Sequence, residues 1–168
     1  SGSLTAERLE RLASSGVKAS QRKRGALSCM MKFLDLCSGI GAFRMAAENL
    51  GHQCIGYVEI DKFARASYEA IYDTSGEWTE WDLQDVTNEE WASFRGEVDI
   101  IMAGFPCQAF SVAGKGLGFK DPRGTLFFEI ARAIQYAQPK YFLLENVKNL
   151  LSHDRGQTID TIIYTLCS

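Results

Sequence analysis

Cys107 stands where a nucleophile would be useful. It lies in Gly104-Phe105-Pro106-Cys107-Gln108, directly after the apolar run Val98-Asp99-Ile100-Ile101-Met102-Ala103. A loop that closes a buried strand is where open α/β sheets keep their reactive groups. The thiolate, a minor species at neutral pH, is the form that attacks. Backbone N–H groups at the turn and the cations Lys115, Lys120 and Arg123 would raise its share, and Pro106 stiffens the approach. Burial as an inert packing thiol is the commoner fate of cysteine; the strand-end, glycine-rich setting favours the reactive role here.

Glu145 ends a second apolar run, Tyr141-Phe142-Leu143-Leu144-Glu145, and Asn146 follows it. If the two runs are neighbouring parallel strands, Cys107 and Glu145 share one end of a sheet. A thiolate facing a carboxylic acid suits a heteroaromatic substrate: one attacks a ring carbon while the other holds or protonates a ring nitrogen. Asn146 could fix the loop.

Upstream, Asp35-Leu36-Cys37-Ser38-Gly39-Ile40-Gly41 reads as a glycine turn between a strand and a helix. Glycine lets backbone approach a ligand closely, and the helix start offers free N–H groups. The third glycine of a dinucleotide fingerprint would fall at Arg44, so that pattern fails. Glu59, 18 residues beyond Gly41, ends the next strand, where an acid can accept hydrogen bonds from ribose hydroxyls. Asp82 could accept one from an adenine amino group. Together they describe an adenosine-containing cofactor held by sugar and base; each alone would also pass as ordinary surface charge. No triphosphate-cradling motif is present.

The elements that must position these groups alternate between strand and helix signals from Met31 onward, which makes the chain α/β. Strands are expected at Lys32–Leu36, Gln53–Glu59, near Trp81-Asp82-Leu83, at Val98–Ala103 and at Tyr141–Glu145. Helices are expected at Ile40–Leu50, Asp61–Tyr72 with Asp61 as N-cap, Asn88–Phe94 with a Thr87/Glu90 capping box, Thr125–Ala137 and Thr158–Leu166. The stretch from Gly104 to Gly124 carries five glycines and is expected to be a mobile active-site lid.

The 168 residues, 46% hydrophobic and 23% charged, suit one globular domain. Residues 1–30 stand apart. They begin with Ser1-Gly2-Ser3, carry a charge of +4, and read as a tag or flexible basic extension. Residues 31–168 carry −7, too few free cations for a complete nucleic-acid surface. Five cysteines without a C-x-x-C pair, and only two histidines, give no basis for a metal site; the cysteines other than Cys107 are expected to pack. No apolar run reaches the roughly 20 residues a membrane span needs, and a cytoplasmic setting is the default.

The order of these segments resembles the DNA cytosine-5 methyltransferases of bacterial restriction-modification systems. Phe33 to Phe43 resembles their S-adenosylmethionine motif, and Glu59-Ile60-Asp61 and Asp82 their acidic cofactor motifs. Gly104 to Ser111 resembles the nucleophile loop, while Asp121 to Phe127 and Glu145-Asn146-Val147 resemble the two motifs that follow.

The resemblance implies a Rossmann-like, S-adenosylmethionine-dependent methyltransferase fold with a mostly parallel sheet in the order 3-2-1-4-5. It implies a bacterial or phage-encoded enzyme acting on double-stranded DNA, with a flipped-out cytosine as target. Cys107 would attack carbon 6, Glu145 would hold ring nitrogen 3, Asn146 would support the loop, and Arg123 would contact the base or its phosphates. Cofactor contacts carry over to Cys37, Gly39, Ile40, Gly41, Glu59, Ile60, Asp82, Leu83, Pro106 and Leu126. Two positions depart from the family's habit: Cys37 and Ile60 stand where aromatic residues often flank the adenine.

The family's later Gln-x-Arg-x-Arg motif, target-recognition domain and C-terminal motifs do not occur before Ser168. The expectation is therefore an N-terminal catalytic part, truncated after the fifth strand and inactive alone. Its Tyr141–Glu145 strand has the composition of one buried on both faces. It would be left at an edge, associating with itself or with a complementing C-terminal polypeptide. The competing readings are a non-catalytic cofactor-binding half that needs a second chain, an RNA cytosine-5 methyltransferase, and an unrelated Rossmann-type redox enzyme using Cys107.

Overall fold

The computed structural model describes residues 30–105 and 122–167, the side chains of 122–125 excepted. Five strands form one sheet: β1 Lys32–Leu36, β2 Gln53–Val58, β3 Trp78–Glu80, β4 Ile100–Gly104 and β5 Tyr141–Glu145. Their order is β3-β2-β1-β4-β5 and every pairing is parallel. The helices are α1 Ala42–Asn49, α2 Lys62–Ile71, α3 Asn88–Ser93, α4 Pro122–Ala137 and α5 Gln157–Cys167. Chain direction across the sheet reverses between β1 and β4, which makes their C-terminal ends the switch point where open α/β sheets bind ligands.

Successive strand residues face opposite sides of a sheet, and β1 alternates accordingly. Leu34 and Leu36 join Val58, Ile101 and Ala103 in a core with Phe127, Ile130, Ala133 and Ala137 of α4 and Trp91 of α3. Phe33 joins Cys54, Ile100 and Met102 on the other face, beneath Ala47 of α1. Asp35 shares that second face and is fully buried. The Arg44 guanidinium, also buried there, donates to Glu48, Glu77, the Tyr68 hydroxyl and the Asp73 carbonyl, so α1 is tied to α2 and to the approach to β3.

Some boundaries differ from the sequence expectation. The third strand is Trp78–Glu80, not Trp81–Leu83. Trp78 is held on the core side by packing edge-on against Trp91 and Phe94. Trp81 stays half-exposed, with the Arg65 guanidinium 4.4 Å from its ring centre. Helix α1 starts at Ala42 because Gly41, with φ 86°, cannot be helical. Helix α4 starts at Pro122, whose fixed φ suits a first helical position. Cys54 packs as expected, its thiol pushed up to about 12 by burial, whereas Cys167 is exposed; Cys29 lies outside the described residues. Strand β5 is an edge among the described strands, and Tyr141, Phe142 and Leu143 are about half exposed rather than buried. Most of the expected lid lies outside the described residues. Among those described, no helix is long and apolar enough to cross a membrane.

Candidate functional site

A cleft of about 350 Å³ opens at the C-terminal ends of β1, β2 and β4. Its lining includes Cys37, Glu59, Ile60, Asp82, Leu83 and Leu126, six of the residues expected from sequence. It also includes Val58, Trp81, Gln84 and Gly104, which sequence reasoning did not assign to a cofactor. Trp81 carried a readable signal, an aromatic directly before Asp82. Gly39, Ile40 and Gly41 belong to the turn beside the cleft and do not line it.

The turn is built around Glu59. The Gly39 N–H donates to Glu59 Oε2 and the Asp61 N–H to Oε1, both at 2.7 Å. A carboxylate oxygen accepts more than one hydrogen bond, so each retains capacity for a ligand hydroxyl. Ser38 N–H donates to the Val58 carbonyl at 3.1 Å, and Gly41 N–H to the Ser38 carbonyl at 2.8 Å. Asp61 in turn caps α2 by accepting from the Phe63 and Ala64 N–H groups.

The two glycines differ. A Cβ built at Gly39 meets nothing within 4 Å, so its absence leaves an open cradle. A Cβ at Gly41 would lie 2.4 Å from the Tyr72 ring, whose hydroxyl donates to the Gly41 carbonyl at 2.7 Å. Gly41 serves the fold, and Gly39 leaves room for something else. That cradle, the buried two-amide carboxylate and the half-buried Asp82 beyond it fit an adenosyl group. Asp82 is held in a turn by accepting from Gln84 N–H at 3.0 Å.

Charge sets the character of the remaining lining. Burial, followed by the negative charges of Glu59, Asp35 and Asp82, pushes the Cys37 thiol up to about 12. It is a neutral, apolar wall at physiological pH, not a nucleophile. Behind the turn, burial raises the Asp35 carboxyl from 3.8 to about 7 against the opposing effect of the Tyr68 hydroxyl, which donates to Oδ2 at 3.3 Å. Among the described residues Asp35 Oδ1 has no partner.

The ends of β4 and β5 meet at Gly104. In register, Gly104 faces Glu145. A Cβ on Gly104 would lie 3.3 Å from Glu145 Oε2, a tight contact, so the glycine leaves that carboxylate room beside β4. The Asn146 side-chain amide donates to the Phe105 carbonyl at 2.6 Å, and its oxygen accepts from Val147 N–H at 2.8 Å. Asn146 thus fixes the backbone immediately before Pro106 and Cys107. Pro106 and Cys107 lie outside the described residues, as does the Arg123 side chain. Among the described residues no group of three or more His, Cys, Asp or Glu could hold a metal ion.

Residues 31–168 match the C-5 cytosine-specific DNA methylase family. Over 135 residues the chain is 50% identical to the Type II methyltransferase M.HpaII of Haemophilus parainfluenzae, covering 80% of this chain and 36% of that protein. Over 136 residues it is 46% identical to M.HhaI of Haemophilus parahaemolyticus, covering 81% and 39%. The fold is similar to a putative DNA modification methyltransferase encoded within an Escherichia coli prophage, with a TM-score of 0.64, 26% identity and coverage of 82% and 38%. It is also similar to the Schizosaccharomyces pombe Dnmt2 methyltransferase, with a TM-score of 0.59, 18% identity and coverage of 80% and 40%. The chain spans about two fifths of the length of the curated relatives it matches.

Proposed function

The chain belongs to the C-5 cytosine-specific DNA methylase family, and from that premise we propose that it is the cofactor-binding and nucleophile-bearing part of an enzyme that methylates carbon 5 of cytosine in double-stranded DNA. The observation that carries this reading is the Glu59 carboxylate, buried and held by two backbone amides at the mouth of the β1/β4 switch point.

Glu59 accepts hydrogen bonds from the ribose hydroxyls, Asp82 accepts one from the adenine amino group, and the bare Cα of Gly39 lets the ligand approach the turn. Leu83, Leu126, Ile60 and Cys37 supply apolar walls; Ile40, Gly41 and Pro106 complete the contacts by analogy with the family's motifs. S-adenosylmethionine, when bound, supplies an electrophilic methyl group carried on a sulfonium.

Cys107 acts as thiolate and bonds to carbon 6 of the flipped cytosine, which makes carbon 5 nucleophilic. Glu145 holds ring nitrogen 3 and supplies the proton that balances the attack. Carbon 5 then takes the methyl group from the sulfonium, whose sulfur leaves as a neutral thioether; loss of the carbon-5 proton expels the Cys107 thiolate, and ring nitrogen 3 returns its proton to Glu145, which restores the ring. Asn146 holds the Phe105 carbonyl and so fixes the approach to the nucleophile, and Arg123 contacts the base or its phosphates.

Two features support dependence on further polypeptide: the half-exposed apolar side chains of β5 and the −7 charge of residues 31–168. The missing surface is supplied by a C-terminal polypeptide carrying target recognition, or is masked by self-association. The test is covalent trapping on DNA containing 5-fluorocytosine with S-adenosylmethionine, where fluorine cannot leave as the proton does. The chain is assayed alone and with the C-terminal part of a relative added. An adduct is expected in the complemented reaction and none with Cys107→Ser; an adduct that survives Cys107→Ser refutes the assignment.

A further inference from the structure

We infer that Arg132 on α4 is a positioning residue for adenine recognition, bracing from behind the turn that carries Asp82 and Leu83; the inference rests on the reading of the cleft as the cofactor site. Leu126 and Arg132 are six residues apart on α4, about 9 Å along the axis. Leu126 lines the cleft, and Arg132 reaches from the same helix to the segment joining β3 to α3.

Its guanidinium serves three acceptors there. Nη2 donates to the Leu83 carbonyl at 3.1 Å, and Nη1 donates to the Val86 carbonyl at 2.8 Å and to Asn88 Oδ1 at 3.0 Å. Nε donates to Glu129 Oε2 at 2.7 Å, which sets the plane of the fork from its own helix. A planar guanidinium can satisfy such a set at once, whereas a lysine ammonium on a flexible stem has no fixed fork.

The Leu83 and Val86 side chains are buried in the core at 2% exposure each. Their positions therefore depend on core packing and on this fork. Asp82 is bound to the same turn through Gln84 N–H. A displacement of the turn moves the Asp82 acceptor away from the amino group it must meet, and hydrogen-bond selection is lost with small displacements. No local pattern shows this link, because the acceptors are 44 to 49 residues from Arg132 in the chain.

The test uses the 168-residue chain and titration calorimetry with two ligands: S-adenosylhomocysteine and its inosine counterpart, in which the 6-amino donor is replaced by an oxygen acceptor. The parent chain is expected to favour the adenosine ligand by about tenfold or more, because the swap leaves Asp82 facing an acceptor. In Arg132→Met the preference is expected to fall to about threefold or less, with Arg132→Lys in between. Ligand-free circular dichroism and melting identify folded variants, and Arg132→Lys, which keeps the charge beside Glu129, decides the matter if Arg132→Met does not fold. A folded variant that keeps the full preference overturns the role of Arg132 while the cofactor site stands. A parent chain that binds both ligands equally overturns the reading of Asp82, and the inference with it.

Discussion

Both oxygens of Glu59 already accept a backbone N–H, from Gly39 and from Asp61, so the carboxylate is oriented without a ligand. Asp35, on the other side of the glycine turn, is in the opposite situation. It is fully buried, accepts one weak bond from Tyr68, and has its carboxyl raised from 3.8 to about 7 by burial. A raised carboxyl binds its proton more tightly in the folded chain than in the unfolded one. Its contribution to stability is therefore full below pH 4 and is lost as pH rises through about 7. The effect amounts to a few kcal/mol at most. The expected outcome is that Asp35→Asn gains stability relative to the parent between pH 5 and pH 8, read as the difference in urea midpoints. A constant difference across that range would show that Asp35 is ionised throughout. The carboxylates at strand ends were legible as residue types after apolar runs. The state of Asp35 was not, because it is set first by burial in the assembled fold, against the opposing effect of Tyr68 and Arg44, which the following helices deliver.

The β1–α1 turn carries the contrast between Gly39 and Gly41. Both have positive φ, 57° and 86°, and an alanine in that region costs about 1–2 kcal/mol in backbone strain. Gly41→Ala adds a collision with Tyr72, so it should lower the melting temperature well beyond Gly39→Ala. Gly39→Ala should instead cost cofactor affinity about tenfold or more, since its methyl group enters the open cradle. Differential scanning fluorimetry and calorimetry separate the two, and equal affinity losses without a stability gap would contradict the division. The pattern showed two glycines; which one faces the ligand was decided by a tyrosine 31 residues away. The same limit moved β3. The segment Trp78-Thr79-Glu80-Trp81-Asp82-Leu83 alternates acceptably in either register, and only packing on Trp91 and Phe94 selects Trp78. The remaining strands and helices were legible because their apolar spacing and caps agree with the tertiary core, as with Thr87 and Glu90, which form the expected capping box.

At the scale of the molecule, the sheet is well covered around β1 and β4, whereas β5 is the edge among the described strands and its Tyr141, Phe142 and Leu143 are about half exposed. An apolar edge strand is a template for association. The chain alone is expected to exceed monomer mass in light scattering, and Leu143→Lys, which puts a charge on that edge, is expected to reduce the association; a monomer at all concentrations would contradict it. The molecule has a second cleft, of about 420 Å³, lined by Arg44, Glu48, His52 and Glu77 among others, far more polar and away from the strand C-termini. The proposed cofactor belongs in the switch-point cleft beside Glu59 and not in that one. Hydrogen exchange of the chain with and without S-adenosylhomocysteine distinguishes them directly. Protection is expected in residues 37–41, 58–61 and 81–84. Protection confined to residues 48–55 and 73–77, or none at saturating ligand, would contradict the assignment of the cofactor site.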